Sequence, residues 1–418
     1  MHRSKSRGAI AAAVAVVAGL ASTALTAAPG QATPAARGVS NGTITVAGIG
    51  FVQNFADAAV GAQARFARFN KTNEIKGLKI DFKEFADDKN DPATALSETR
   101  RLVTQDGIFA LVPDLSLATP GDYLTQQQVP WFGPGYDATY CPTGKAGWGF
   151  SQYGCLIPEN PKKLPSPTAE QLKKVLAAKG ISNPTIALLG TDAESGKKSI
   201  QNSASVYTGA GWKVVYAKGA FPAPPAVVGD YTPYVQALLK SNNGGQPDVI
   251  YSSIAPASSL QLFNLIKSSG YTGTFISPFY TPLLLKALQG AYVFLQQAPF
   301  ETTSANMTQM KNDIQSFKPG TQYSLTVGGG YLAADFFIAA LKKAGKNPTG
   351  ASVQKAASKM TYQWKDVVGP IKYPASYKYS VPACASLVYD PDGTAFQVVQ
   401  PYTCSTKTYP ILSKFASQ

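Results

Sequence analysis

The chain has 418 residues, 44% of them hydrophobic, enough for two lobes that each bury a core. Its formal charge is +14, but the lysines and arginines are scattered, with pairs such as Lys162-Lys163 and Lys342-Lys343 and no dense run, which describes a solvated basic surface and excludes nucleic acid as a partner. The one histidine is His2, so the remaining chain has no Ser-His-Asp or Cys-His catalysis, no histidine general base and none of the common zinc sites.

The N-terminus carries Arg3, Lys5 and Arg7, then an apolar run over 9–20, then small residues. This predicts a cleaved secretory signal over residues 1–32, ending after Ala28 or Ala32. A membrane anchor is the alternative, but the apolar core is short and Ser22, Thr23 and Thr26 interrupt its extension. Removing the leader leaves +11. No cysteine near the cleavage region could carry a lipid, so an untethered protein of the cell envelope or exterior is expected. The four cysteines, Cys141, Cys155, Cys384 and Cys404, then lie in an oxidising compartment. Proximity favours Cys141–Cys155 and Cys384–Cys404 bridges, although four cysteines permit three connectivities. A metal site would need CxxC spacing or histidines, and neither accompanies them.

Residues 43–49 read as a strand, followed by a helix with Ala58, Ala62, Phe66 and Phe69 on one face and a strand at 78–85. An acidic turn through Asp87-Asp88 ends at Asn90-Asp91-Pro92, which starts a helix and lacks the spacing of a Ca²⁺ loop. That helix presents Ala93, Leu96 and Val103. Short apolar runs follow at 108–112 and 129–133, with a loop at 113–118. Helices alternating with short buried strands predict a parallel α/β sheet. Loops after such strands form the ligand crevice, which puts Asp114 and Ser116 against a ligand. Residues 134–168 are rich in Pro, Gly and Tyr and read as an irregular excursion. A second series begins near 183, with strands at 185–189, 212–217, 248–252 and 274–277 and helices at 199–207, 231–240 and 257–268. The tail predicts a β-hairpin around Pro391-Asp392-Gly393.

The ordered series Asp91-Pro92-Ala93, Gln105-Asp106-Gly107-Ile108-Phe109-Ala110-Leu111-Val112-Pro113 and Val129-Pro130-Trp131-Phe132-Gly133-Pro134 closely resembles the type I periplasmic binding proteins, specifically the branched-chain amino-acid-type receptors of ABC importers. Asp192-Ala193-Glu194-Ser195-Gly196 is similar to the family's motif after the first strand of the second lobe. Residues 328–345 resemble its long helix, in which Leu332, Phe336, Ala339 and Ala340 are core positions and Gly328-Gly329-Gly330 a flexible helix start. Val368-Gly369-Pro370-Ile371 resembles its late crossing, and 292–295 fits the strand near the second crossing. The resemblance covers nearly all of the chain after residue 42. It implies an α/β fold of two doubly wound lobes with a central ligand cleft, joined by three crossings. Residues 42–160 plus 285–368 would form lobe 1, and 165–284 plus 369–418 lobe 2. It implies a monomeric solute receptor without cofactor, whose partners are a small-molecule ligand and the permease of an ABC importer.

Carried onto this chain, the family's first contact loop keeps Ser116 and has Leu115 in place of a preceding serine. The second contact loop supplies Tyr136 and Asp137, and the loop after the first strand supplies Phe55. In the second lobe Ser195 stands where the family has a tyrosine, and the loop with Phe279 and Tyr280 lacks the acid that pairs with an amino group. A buried ammonium without a partner is costly. Either Asp114 or Asp137 substitutes, or the ligand is not an amino acid. Phe55, Trp131, Tyr136, Tyr153, Phe279 and Tyr280 around the expected cleft favour an aromatic or largely apolar molecule, with a branched-chain amino acid as the alternative. A ligand sensor of the same fold serving no transporter is a further reading. A hydrolase is the last: no G-x-S-x-G or phosphate-loop motif is present, and adjacent Asp87 and Asp88 point to opposite sides of an extended turn.

Overall fold

The computed structural model describes residues 36–142, 147–223 and 226–412. The expected signal segment, 1–32, lies outside them.

The strand periodicities resolve into two sheets with the same core topology. In the first, the parallel strands run Lys79–Asp87, Thr43–Gly50, Ala110–Leu115, Trp131–Gly133, Gly149–Ser151 from edge to edge. In the second, Lys213–Phe221, Thr185–Thr191, Val249–Ser253, Thr274–Ser277 and Ala291–Leu295 repeat that order. Numbered along the chain, both read 2-1-3-4-5, the doubly wound order whose switch point lies between the first and third strands. Ala383–Tyr389 and Gln397–Ser405 add an antiparallel pair to the second sheet, matching the predicted hairpin.

The strand Ala291–Leu295, expected with the first lobe, pairs in the second sheet, where Phe275 faces Ala291 and Val293 faces Val388. The chain therefore leaves the second sheet later than residue 285. Three helices of eight or more residues escaped the sequence pattern, Pro167–Ala178, Ala305–Phe317 and Gly350–Ala357, as did the short Val52–Phe55 and Gly121–Gln126; the three longer ones are capped. Each opens on a side-chain cap, from Ser166, Ser304 and Thr349. The helix Pro92–Thr104 starts as expected, its N-cap Asp91 accepting from Thr94 N at 2.7 Å. It buries Ala95, Thr99, Leu102 and Val103, while Ala93 is exposed, a rotation from the expected face.

Lobe 1 is built from two separate stretches of the chain. The helix Ala58–Thr72 packs on Leu325–Ala344 at backbone contact distance: a Cβ on Gly61 would stand 1.9 Å from Val327 O, and one on Gly330 2.0 Å from Ala58 O. The triple glycine is thus a seat for a neighbouring helix inside Leu325–Ala344, and not a flexible start to it.

Buried ions lock this contact. Arg65, 2% exposed, gives Nε to Asp335 Oδ1 at 2.6 Å and a two-pronged pair to Glu74 at 2.7 and 3.0 Å. Lys342 Nζ reaches Glu74 Oε2 at 2.6 Å, and Tyr362 donates to Asp335 Oδ2 at 3.1 Å. Burial opposes charge on Glu74, but hydrogen bonds from Arg65 and Lys342 prevail and hold its carboxyl at about 2. Two disulfides, Cys141–Cys155 and Cys384–Cys404, use all four cysteines, the second across the terminal hairpin.

Arg65→Met leaves Asp335 and Glu74 short of their central partner and should cost about 3–5 kcal/mol in denaturant unfolding. Because the folded carboxyl of Glu74 lies below its ordinary value near 4.5, its contribution is complete above that value and lost as pH falls toward about 2. The loss of stability with acid should be shallower in Arg65→Met. Peptide mapping without reductant should find the two bridges. Each closes a loop of 14 or 20 residues, and reducing either should cost about 3 kcal/mol.

Candidate functional site

The switch point of the first sheet puts the loops after Thr43–Gly50 and Ala110–Leu115 side by side. The first is pinned by Asp87, whose Oδ1 accepts from Val52 N at 3.1 Å and Lys89 N at 3.0 Å. Asp88 Oδ1 accepts from Asn90 N at 2.8 Å. Both carboxylates thus brace a turn. Phe55 ends the short helix Val52–Phe55, and its ring centroid lies 6.1 Å from that of Tyr136. Both rings are half-buried, as is Asp137 beside them. Asp137 Oδ1 accepts from Thr139 N at 2.7 Å, and burial raises its pKa against that bond.

Asp114 and Ser116 are differently placed. Asp114 is 1% exposed and accepts three hydrogen bonds: from Ser116 N at 3.1 Å, Thr119 Oγ1 at 2.9 Å and Tyr140 OH at 2.9 Å. Burial outweighs these donors, with a smaller push from Asp137, and raises its pKa to about 7. Ser116, also 1% exposed, accepts from Ala118 N at 3.1 Å. Both sequence-chosen residues fold their own loop, so neither side chain is spread toward solvent.

In the second lobe, Ser195 lies in the first turn of Glu194–Gly209, with its side chain outside the described residues. Phe279 is half-buried, its N donating to Ser277 Oγ at 3.1 Å. Tyr280 is 2% exposed, donates to Glu301 Oε2 at 2.7 Å, accepts from Phe300 N at 3.1 Å and stacks on Phe396 at 4.7 Å. It is a core pillar. The loop that carries it follows the fourth strand, one place away from the switch point. The loops at the second lobe's switch point follow Thr185–Thr191 and Val249–Ser253, and in the second of them Ile254 is buried in the core while Ala255 is half-buried.

A cavity of about 230 Å³ opens elsewhere, between the second sheet, the helix Glu194–Gly209 and the crossing segments. Tyr153, Tyr251, Phe294, Tyr379 and Tyr402 are among its lining residues. Lys198, Ser199, Asn202, Ser203, Val206 and Tyr207 line it from that helix. Of the aromatic residues expected at a ligand, Tyr153 alone lines it. Tyr153 OH donates to Gln297 Oε1 at 2.6 Å, and Gln152 Nε2 donates to Gly329 O at 3.1 Å, so the cavity wall is continuous with contacts joining two crossings and the long helix.

The profile of the periplasmic binding protein family matches residues 12–380. The chain belongs to the periplasmic binding protein family. Its paired 2-1-3-4-5 sheets are the type I form of that fold. Solved structures agree on the fold, at identities too low to carry more. A fatty acid ABC transporter substrate-binding protein from Thermomonospora curvata is 15% identical with TM-score 0.69, over 89% of this chain and 95% of its own. A solute binding protein from R. palustris, in complex with benzoate, is 12% identical with TM-score 0.66, over 87% and 98%. The branched-chain amino acid transporter substrate binding protein LivJ from Streptococcus pneumoniae, in complex with isoleucine, is 16% identical with TM-score 0.64, over 86% and 100%. No curated protein matches the chain in sequence.

In this binding protein Asp114 gives the first-lobe loop a pH signature. A carboxyl raised to about 7 in the folded state favours folding while protonated, so stability falls as pH rises from its ordinary value near 3.8 through about 7 and is level above. Asp114→Asn, uncharged throughout, should flatten that part of a melting-temperature profile measured from pH 4 to 8.

Proposed function

We propose that the protein is an extracytoplasmic, monomeric receptor that captures a small aromatic or largely apolar molecule and delivers it to the permease of an ABC importer. The observation that carries the ligand class is the cavity of about 230 Å³. Six aromatic residues, Tyr153, Tyr207, Tyr251, Phe294, Tyr379 and Tyr402, are among its lining, and no Asp or Glu is among its described lining residues. An ammonium brought there would lose water without gaining a carboxylate, which penalises an amino acid. Phe55, Tyr136, Asp137 and Phe279 are half-buried at loops following parallel strands, and they are suited to meet the ligand or the opposite lobe on closure. The basic chain with its leader-like N-terminus supports export.

A branched-chain amino acid is the second reading, supported by the isoleucine bound to a structural neighbour. It would need Asp137 as the ammonium's partner. A sensor of the same fold, feeding no transporter, would share the binding chemistry and differ in lacking a permease. A thermal-shift panel of amino acids, aromatic acids and neutral aromatics decides the ligand class. At 100 times its Kd a true ligand stabilises by about 2.7 kcal/mol, which moves the melting point visibly. Shifts with aromatic compounds and none with leucine, isoleucine or valine are expected. A shift with leucine that Asp137→Asn abolishes would replace this reading by the second.

A further inference from the structure

We infer that Leu117 selects the cargo on the first-lobe side of the cleft: it stands out of an otherwise buried loop, beside the Phe55–Tyr136 pair, and covers the apolar part of the ligand. This deepens the receptor reading above and rests on it. The sequence reading passed over Leu117 in favour of its polar neighbours.

Placement is the first observation. Leu117 lies just past the strand Ala110–Leu115, which pairs with Thr43–Gly50 on one side and Trp131–Gly133 on the other. The ends of these three parallel strands meet at the crevice. Gly50 is in register with Leu115, and a Cβ on Gly133 would stand 1.9 Å from Asp114 O, so both neighbours close tightly on the end of the middle strand. Phe55 follows one neighbour and Tyr136 the other, and their ring centroids lie 6.1 Å apart. The pair therefore meets across the end of the strand that carries Leu117.

Exposure is the second. Between Asp114 and Thr119, Leu117 alone is exposed, at 50%; Asp114, Leu115, Ser116 and Thr119 are buried and Ala118 is half-buried. The loop is not free to tuck the side chain in. Asp114 accepts from Ser116 N and Thr119 Oγ1, and Ser116 Oγ accepts from Ala118 N, so hydrogen bonds on both sides of Leu117 fix the backbone that aims it outward. A single leucine on a surface is ordinary. This one shares its edge of the sheet with Val52, also exposed, and with the two half-buried rings. Apolar side chains gathered at the mouth of a crevice gain from being covered, and a ring or branched alkyl group covers them better than a polar one. Leu117 is the member of the group that the loop holds furthest out.

The four cysteines are all in disulfides, so Leu117→Cys places one free thiol in the full mature protein. Benzoate, phenylacetate, benzamide and leucine are the probes. Any of them that raises the melting point should, at 100 times its Kd, slow N-ethylmaleimide labelling of Leu117→Cys by about tenfold or more. In Leu265→Cys, exposed near the end of the helix Pro256–Ser268, the same compound should change labelling by less than about twofold. By isothermal titration Leu117→Ala should weaken that compound by about tenfold, Leu117→Asp by about a hundredfold, and Leu117→Met by no more than about threefold. All three should keep the melting point of the free protein, because the side chain is exposed. A compound that raises the melting point, leaves labelling of Leu117→Cys unchanged and binds Leu117→Ala as tightly as the parent overturns the role of Leu117 and leaves the receptor standing. Leucine that protects the thiol, with no aromatic compound bound, keeps Leu117 as the contact and overturns the aromatic class. No shift with any of the four overturns both.

Discussion

The rest of the structure depends on the close contact between the helices Ala58–Thr72 and Leu325–Ala344. Gly61 and Gly330 bring the backbones so near that a single methyl at either would meet a carbonyl oxygen. A helix from the start of the lobe is thereby bound to one from far along the chain. The segment between them has to leave, build a second sheet and return. The ions fix the register of this contact: Arg65 on one helix reaches Asp335 on the other and Glu74 just beyond its own. Their value is specificity as much as strength, since a buried pair gives back in Coulomb energy about what it costs in desolvation.

From that constraint follows where the binding chemistry sits. The returning segments run beside one another, and Gln152, Tyr153 and Gln297 interlock there against Gly328 and Gly329. A Cβ on Gly328 would stand 2.3 Å from Gln297 Nε2, so the same glycine run that seats one helix also admits this buried amide. The tyrosine at the centre of the interlock faces the cavity with its ring and the second crossing with its hydroxyl.

The fold was legible because its two series of buried strands and amphipathic helices repeat with short spacing. The helix starting at Asp91-Pro92 and the bridges between neighbouring cysteines are local features and could be read as such. The boundary near 285 was not, because Ala291–Leu295 is a short apolar strand that would suit either sheet, and its partners, Phe275–Ser277 and Ser386–Tyr389, lie on both sides of it in sequence. The site was harder still. Asp114, Ser116 and Tyr280 are polar residues on the right loops, but composition does not tell whether a loop's polar groups face a ligand or each other. Here Asp114 answers Thr119 and Tyr140, and Tyr280 answers Glu301.

That difference also explains the electrostatic character of the cavity. The carboxylates near the crevice are absorbed: Asp87 and Asp88 by turn amides, Asp114 by three donors, Glu301 by Tyr280. The cavity, by contrast, has no Asp or Glu among its described lining residues, and its one charged side chain there is Lys198, whose contact to Asn160 Oδ1 is long at 3.4 Å. Beside aromatic rings the local dielectric is lower, so a charge held there interacts more strongly than the same charge at the surface.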